Sequence, residues 1–258
     1  VKIAVIAHPE RAEASAVEAS VIKAAAEHGV EVVGVDEADV VVSIGGDGTL
    51  LRAVRAAGAT TPVVGVDVGY VAYLAEVDPE EASSLVSRLA ASDFDVVERM
   101  TVAVELPDGS VATGLNDVVV EKIVAQHALR LRCQIDGEDL VTYRADGLIV
   151  ATPTGSTAYA YSAGGPVVDP GVEALVLVAV APHNLFSRPI VLRPDSTIEL
   201  EVLAGRPAHV SVDGQDHGLA DSGHKLVIRR GDTPAMLVAL EDGGFATKLA
   251  SNLGIPPE

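Results

Sequence analysis

Three runs of mostly β-branched residues fix what the first third of this chain can fold into. "VKIAVIA" (1–7), "DVVVSI" (39–44) and "TPVVGVDV" (61–68) are nearly continuous in apolar character instead of alternating, so each predicts a strand buried on both faces. "VEVVGV" (30–35) reads as a further strand. The stretches between are helical in pattern: an Ala- and Glu-rich segment up to His28, "GTLLRAVRAAG", and "DPEEASSLVSRLAAS" (78–92). The last has Asp78 at a cap position, Pro79 at the first helical position and acids in its first turn. Strand and helix in alternation predict a parallel, Rossmann-like sheet covered on both faces, whose ligands sit beyond the carboxyl ends of the strands.

From about residue 97 the rhythm changes. "TVAVELPDGSVATGLNDVVVEK" reads as two strands joined at Pro107-Asp108-Gly109, and "LRLRCQIDGEDLVTYRADGLIVATP" as a hairpin turning at Asp136-Gly137 and then a further strand. "ALVLVAVAP", "STIELEV", "AHVSVDG", "KLVIRRG" and "MLVALE" are short strands at the spacing of a β-sandwich. The expected organisation is an α/β domain over 1–96 and a mainly β sandwich over 97–243. The terminal "GGFATKLASNLG" gives a short helix that can rejoin the first domain through 244–258.

Composition narrows the function classes. Hydrophobic residues make up 48% of 258, enough for a globular core, and no uninterrupted apolar run reaches the length of a membrane span. The N-terminal run has neither a basic leader nor a cleavage site and reads as a strand. A single cysteine, Cys133, excludes an internal disulfide framework and a multi-cysteine metal site; it points to a reduced, cytoplasmic setting and a structural role on a strand. Acidic residues number 37 against 18 basic ones, a net charge of −19 that repels nucleic acid. Aromatics at 3%, with no tryptophan, disfavour stacking on single strands. Excess acid with scarce lysine also suits a halophilic protein working in concentrated salt, where screening suppresses self-repulsion.

Two segments carry chemistry. In "VVSIGGDGTLLRAV" (41–54) a buried-strand run enters Gly45-Gly46-Asp47-Gly48-Thr49 and then a helix. Glycines let backbone N–H groups approach an anion, and a helix start adds a positive dipole end. No Gly-Lys-Ser/Thr follows, so this is not a Walker loop. On this motif alone Asp47 is equally a turn former or a carboxylate beside phosphates, orienting a hydroxyl or holding Mg²⁺. The second segment, "RADGLIVATPTGSTAYAYSAGGPVVDP" (144–170), runs from a strand into hydroxyls at 152, 154, 156 and 157 and closes on two glycines, a surface suited to ribose or phosphate.

Together with "LNDVVV" (115–120), "APHNLFSRPIVL" (181–192) and "VSVDGQ" (210–215), in this order, these segments resemble the NAD kinase family, which makes NADP by phosphorylating the 2′-hydroxyl of the adenosine ribose. The resemblance covers residues 40 to 215 or so. It implies that Asp47 is the catalytic carboxylate and that Gly45, Gly46, Gly48 and Thr49 shape the phosphate turn. Arg52 and Arg188 become candidate phosphate contacts. Asn116 and Asp117 match an Asn-Glu pair that contacts NAD, with a shorter acid here. Asp146, Thr154, Thr157, Ala158, Tyr159 and Ser162 match the rest of the dinucleotide cradle, and Tyr73, Asp213 and Gln215 join them. The implied substrates are NAD and ATP, another nucleotide or polyphosphate, with Mg²⁺ carried by the triphosphate on no dedicated metal site. A homodimer or homotetramer is the implied assembly.

"GVDVGYVAYL" (65–74) departs from the family pattern: Asp67 replaces an asparagine, Val71-Ala72 a Leu-Gly pair, and Tyr73 a phenylalanine. The departure touches one wall of the NAD site and the choice between NAD and NADH. It also keeps open a non-catalytic NAD(P)-binding paralogue, beside a superfamily kinase acting on a lipid or sugar hydroxyl. His209, Asp213, Asp216 and His217 lie close in sequence and invite a metal, but the Asp213-Gly214 turn is expected to break the strand register before 216 and 217. His183, before Asn184, reads as either a polar site residue or a loop residue.

Overall fold

The computed structural model describes residues 1–252 apart from 70–72, 76, 185, 204 and 241–244. The chain forms two compact units, Val1–Glu98 with Ala235–Glu258, and Arg99–Pro234.

In the first unit the strands are β1 (Lys2–Ala7), β2 (Glu31–Val32), β3 (Val40–Gly45), β4 (Val63–Asp67) and β5 (Asp95–Arg99). The helices are α1 (Ala12–His28), α2 (Asp47–Ala57) and α3 (Ala82–Ala91). The sheet order is β2-β1-β3-β4, then a strand from the end of the chain, then β5, with β1 parallel to both β2 and β3 and β3 parallel to β4. All six residues of β3 are buried, as a continuous apolar run in a parallel sheet requires. Ala14, Val17 and Val21 of α1 and Leu85, Val86 and Leu89 of α3 join Ile3, Val40, Val42, Val64 and Val66 in one core. Gly65 makes room for Leu50 of α2: a Cβ there would stand 2.7 Å from Leu50 Cδ1. The "VEVVGV" run yields only the two-residue β2, because Val35–Glu37 turns into a short 3-10 segment. Asp78 precedes such a segment too, Pro79–Glu81, and its side chain makes no cap bond.

The second unit carries β6 (Val102–Glu105), β7 (Val111–Gly114), β8 (Asp117–Lys122), β9 (Leu129–Ile135), β10 (Glu138–Ala145) and β11 (Gly147–Ala151). The short helix α4 (Tyr159–Ser162) follows, then β12 (Leu175–Val180), β13 (Ile190–Leu192), β14 (Ile198–Val202), β15 (Ala208–Val212), β16 (Gln215–Ala220) and β17 (Lys225–Arg230). They form two six-stranded sheets, β10-β9-β14-β17-β6-β7 and β13-β12-β11-β8-β15-β16. Alternate residues of both face one core, among them Leu131 and Cys133 of β9, Leu148 and Val150 of β11, and Leu200 of β14, so the unit is a β-sandwich. The opposite faces of β8, β11 and β12 are also buried, with Val119, Ile149 and Val176 meeting Ala160 of α4. Those strands therefore read as continuous apolar runs although they lie in an antiparallel sheet. Burial pushes the Cys133 thiol up to about 12, which keeps it an inert core residue.

The chain then re-enters the first unit through β18 (Ala235–Ala239) and α5 (Phe245–Asn252). This corrects the expectation that "MLVALE" is a sandwich strand. β18 lies between β4 and β5, with Leu237 paired in parallel to Val63, and Val238 enters the α/β core. A short apolar run carries no mark of which sheet it will join.

Candidate active site and dinucleotide-binding residues

The first cluster lies at the carboxyl ends of β3 and β4. Gly45 ends β3, Gly46 is the N-cap of α2 in extended conformation, and Asp47 is the first residue of the helix. The Gly46 carbonyl accepts from the amides of Thr49 and Leu50 at 2.9 and 3.2 Å, which closes the first turn. The N–H groups of Asp47 and Gly48 donate to no protein group among the described residues, as expected for the first turn of a helix. Thr49 is buried, and its side chain packs so tightly on Gly45 that a Cβ there would overlap the hydroxyl. Its hydroxyl thus faces inward, and Thr49 shapes the turn.

Asp47 does not cap its own helix. Its Oδ2 accepts from the Tyr73 amide and its Oδ1 from the Leu74 amide, both at 3.1 Å. Burial raises its pKa most, the two amide bonds pull it down, and the charge of Asp67 raises it again, leaving the carboxyl above its ordinary value. Asp67, at the end of β4, itself accepts from the Gly69 amide at 2.7 Å. The asparagine-to-aspartate departure at 67 therefore acts electrostatically on Asp47. Val71 and Ala72 lie outside the described residues.

Two arginines stand at this end of the sheet. Arg52 donates to the Ala7 carbonyl at 2.9 Å and Arg11 to the Val68 carbonyl at 2.8 Å. Arg11 was not among the residues singled out from the sequence. Its position, four residues past the end of β1, is the signal that could have found it, since ligands gather where parallel strands end.

The second cluster lies where β8 begins. Asn116 and Asp117 are buried, and Asn116 Oδ1 is a buried side-chain oxygen with no partner among the described residues. Burial, then repulsion from Asp213, pushes the Asp117 carboxyl up to about 7. The following loop is locked to this dipeptide. The Thr152 hydroxyl donates to the Leu115 carbonyl at 2.6 Å and accepts from the Gly155 amide at 3.0 Å, while the Thr152 amide donates to the Asn116 carbonyl at 2.9 Å.

Of the four hydroxyls expected to form a ribose or phosphate surface, two are structural. Thr152 is fully buried, and the Ser156 hydroxyl accepts from the Val168 amide at 2.9 Å. Thr154 is buried, with its carbonyl accepting from the Thr157 hydroxyl at 3.3 Å. Beyond them Thr157 and Ala158 are half-buried and Tyr159 and Ser162 exposed. Partial burial, then the charges of Glu121, Asp146 and Asp117, raise the Tyr159 phenol.

Asp146 forms an ion pair with Lys122 at 2.6 Å, a partner that the sequence reading did not name. Asp213 turns its carboxylate to the backbone amides of 115–117, so both its oxygens face protein donors, and Gln215 is exposed at the start of β16. Arg188 is exposed and makes no ion pair among the described residues. Asn184 is a latch: its side chain accepts from the Arg144 amide at 2.7 Å and donates to the Thr142 carbonyl at 2.9 Å. His183 is exposed, its amide on the Arg144 carbonyl.

The β15–β16 hairpin overturns the expected separation of 209 from 216. Ser211 pairs with Asp216, the register shifts before His209, and His209 Nε2 meets Asp216 Oδ1 at 2.9 Å. Asp213 faces 115–117 instead, and among the described residues no three His, Cys, Asp or Glu side chains converge as a metal site.

Comparison with known proteins bears on the fold and the family. Residues 5–94 match the ATP-NAD kinase N-terminal domain and residues 115–240 the ATP-NAD kinase C-terminal domain. A NAD kinase of Leifsonia xyli is 38% identical over 227 residues, covering 85% of this chain and 75% of that protein. A NAD kinase of Thermococcus sibiricus is 41% identical over 194 residues, covering 75% and 70%. A crystal structure of an NAD kinase from Archaeoglobus fulgidus in complex with ATP superposes with a TM-score of 0.82 at 27% identity, covering 98% of each chain. Yeast NADH kinase complexed with NADH shares the fold, with a TM-score of 0.88 at 24% identity over 100% of this chain and 88% of that one. The two domain matches in tandem and relatives near 40% identity show that the chain belongs to the NAD kinase family.

Proposed function

We infer that the chain phosphorylates NAD with ATP, moving the γ-phosphoryl group to the 2′-hydroxyl of the adenosine ribose. Family membership supports the reaction, and one observation carries the assignment of Asp47: its carboxylate makes no bond within its own turn and is fixed by the amides of Tyr73 and Leu74. A carboxylate serving only as a turn former would bond the backbone beside it.

Phosphoryl transfer asks for positioning and charge neutralisation more than for covalent chemistry. Asp47 orients the ribose hydroxyl and accepts its proton as the new bond forms. Its raised pKa makes it a better acceptor than a solvated aspartate. The amides of Asp47 and Gly48, which donate to no protein group among the described residues, and the α2 dipole face phosphate oxygens, with Arg11 and Arg52 as the nearby cations. Asn116, Asp117, Asp146, Thr157, Ala158, Tyr159 and Ser162 hold the dinucleotide.

A magnesium ion that arrives on the nucleotide takes most of its oxygens from phosphates and water, so one or two carboxylates suffice to meet it. Asp47 and Asp67 are the carboxylates that would reach it, and the ion would neutralise charge on the triphosphate. A homodimer or homotetramer, a cytoplasmic location and a salt-rich working medium complete the reading, the last supported by the net charge of −19.

The test incubates the protein with NAD, ATP and MgCl₂ at low and molar KCl and assays NADP. Parallel reactions offer NADH, sugar and lipid alcohols as acceptors and polyphosphate as donor. NADP formation with NAD preferred over the alcohols is expected. Dinucleotide binding without NADP at any salt would replace this reading with a non-catalytic binding protein.

A further inference from the structure

Asp213 and Gly214 make the β15–β16 turn with φ of 49° and 71°, the left-handed pair that a two-residue hairpin demands. Asparagine or glycine would serve that turn equally well, so the turn alone does not account for a carboxylate at 213. The bonds of the side chain do. Oδ2 accepts from the Leu115 amide at 2.8 Å, and Oδ1 accepts from the amides of Asn116 and Asp117 at 2.7 and 3.2 Å. The Asp213 amide completes the clamp by donating to the Asp117 carbonyl at 3.0 Å. Gly114 supplies the space, because a Cβ there would stand 2.8 Å from Oδ1 and 2.6 Å from Val212 Cγ1. What is clamped is the dipeptide bearing the unpartnered Asn116 Oδ1 and the buried Asp117 carboxyl.

We propose that Asp213 is a positioning residue for dinucleotide recognition: it acts through the 115–117 backbone, fixing the Asn116 side-chain carbonyl and the Asp117 carboxyl as the reader of one polar edge of the substrate. This rests on the reading of the chain as an NAD-phosphorylating enzyme and deepens it. A buried acceptor without a donor is costly, so the edge read by Asn116 carries an N–H group, as an exocyclic amine or a carboxamide does. Asp213 accepts from three backbone N–H groups, while burial and then Asp213 push the Asp117 carboxyl up to about 7. The groups acting on Asp117 are its own burial and Asp213 from the β15–β16 turn, and Tyr159 of α4 senses its charge in turn. Below about pH 7 Asp117 thus enters as a neutral carboxyl that donates to an acceptor on the same edge.

The experiment measures kcat and KM for NAD and for ATP from about pH 5.5 to 8.5 in the wild type and in Asp213→Asn, with thermal melts to confirm folding. The substitution is expected to raise KM for NAD about tenfold or more while kcat and KM for ATP stay within about threefold. The inflection in kcat/KM for NAD, near pH 7 in the wild type, moves to lower pH because the neighbouring charge has gone and burial remains. A folded Asp213→Asn protein with unchanged KM for NAD and an unchanged inflection overturns the proposal. Gly114→Ala keeps the charge and crowds the carboxylate, so it is expected to raise KM for NAD with the inflection retained; a wild-type KM there also overturns it. Absence of NADP formation by the wild type would overturn the activity itself, whereas an active wild type beside indifferent variants removes only the positioning role.

Discussion

The carboxylate of Asp47 is anchored to the backbone of Tyr73, whose N–H donates to Oδ2 over 3.1 Å across a separation of 26 residues. With Leu74 on the other oxygen, the orientation of Asp47 is set by a loop and not by its own turn. Asp47→Asn keeps one carbonyl acceptor and sets an NH₂ against the second amide. It should lower kcat by about 10²–10⁴, the usual range for a lost proton acceptor. Stability should change little, because one weakened hydrogen bond is offset by relief of a buried charge. NADP assays beside thermal melts check both, and near-wild-type turnover would remove Asp47 from the chemistry.

Asp117 ties stability to pH. Its carboxyl sits at about 7 in the folded chain against about 3.9 when unfolded, so between those values the native state holds a proton that the unfolded state has lost. Stability therefore falls as pH rises through this window, by at most about 1.4 kcal/mol per pH unit. Melting curves from about pH 5 to 8 should show the wild type losing a few degrees relative to Asp117→Asn, which is the more stable protein at the alkaline end. Parallel curves for the two proteins would mean that Asp117 is already ionised at pH 5.

How much of this the sequence disclosed depended on whether a feature was local. The runs at 1–7, 39–44 and 61–68 became β1, β3 and β4 because a strand buried on both faces leaves an unbroken apolar signature. Residues 235–239 carry an apolar run of the same kind, yet its sheet is chosen by tertiary pairing with β4, which no spacing encodes. The glycine turn was visible for the same reason as the strands, since its chemistry is contiguous. The donors to Asp47 were not, being backbone amides of ordinary residues far along the chain. Thr152 and Ser156 looked like site hydroxyls because sequence shows a functional group and not its direction, and both point into the protein.

Gly155 is the position in the Thr-Pro-Thr-Gly-Ser-Thr loop where a side chain has no room. A Cβ there would overlap the Asn116 carbonyl and stand 2.6 Å from Asn116 Cα, backbone atoms that the Thr152 bonds hold in place. Gly155→Ala must break that lock or displace the dipeptide, at a cost of about 3 kcal/mol or more. Urea unfolding should show a lower midpoint, and whatever folded protein remains should bind NAD more weakly than the wild type. A variant with the wild-type midpoint would mean that the loop and the Asn116 backbone are not locked together.

The charge of −19 makes the last expectation one about medium. Like charges on the compact chain repel over a screening length of about 10 Å at 0.1 M salt and about 3 Å at 1 M. Much of this repulsion is uncompensated, because 37 acids face 18 basic residues, and several of those pair with an acid beside them in the chain, as Arg229 does with Asp232 and Lys23 with Glu27. Raising KCl should therefore raise the melting temperature by several degrees, with most of the gain below about 1 M, where the screening length changes most. Sucrose at matched osmolarity should not reproduce that early rise, since it stabilises through exclusion from the surface and leaves charge unscreened. A melting temperature indifferent to KCl would mean that self-repulsion is not what limits this fold, and would set aside the salt-rich working medium proposed for it.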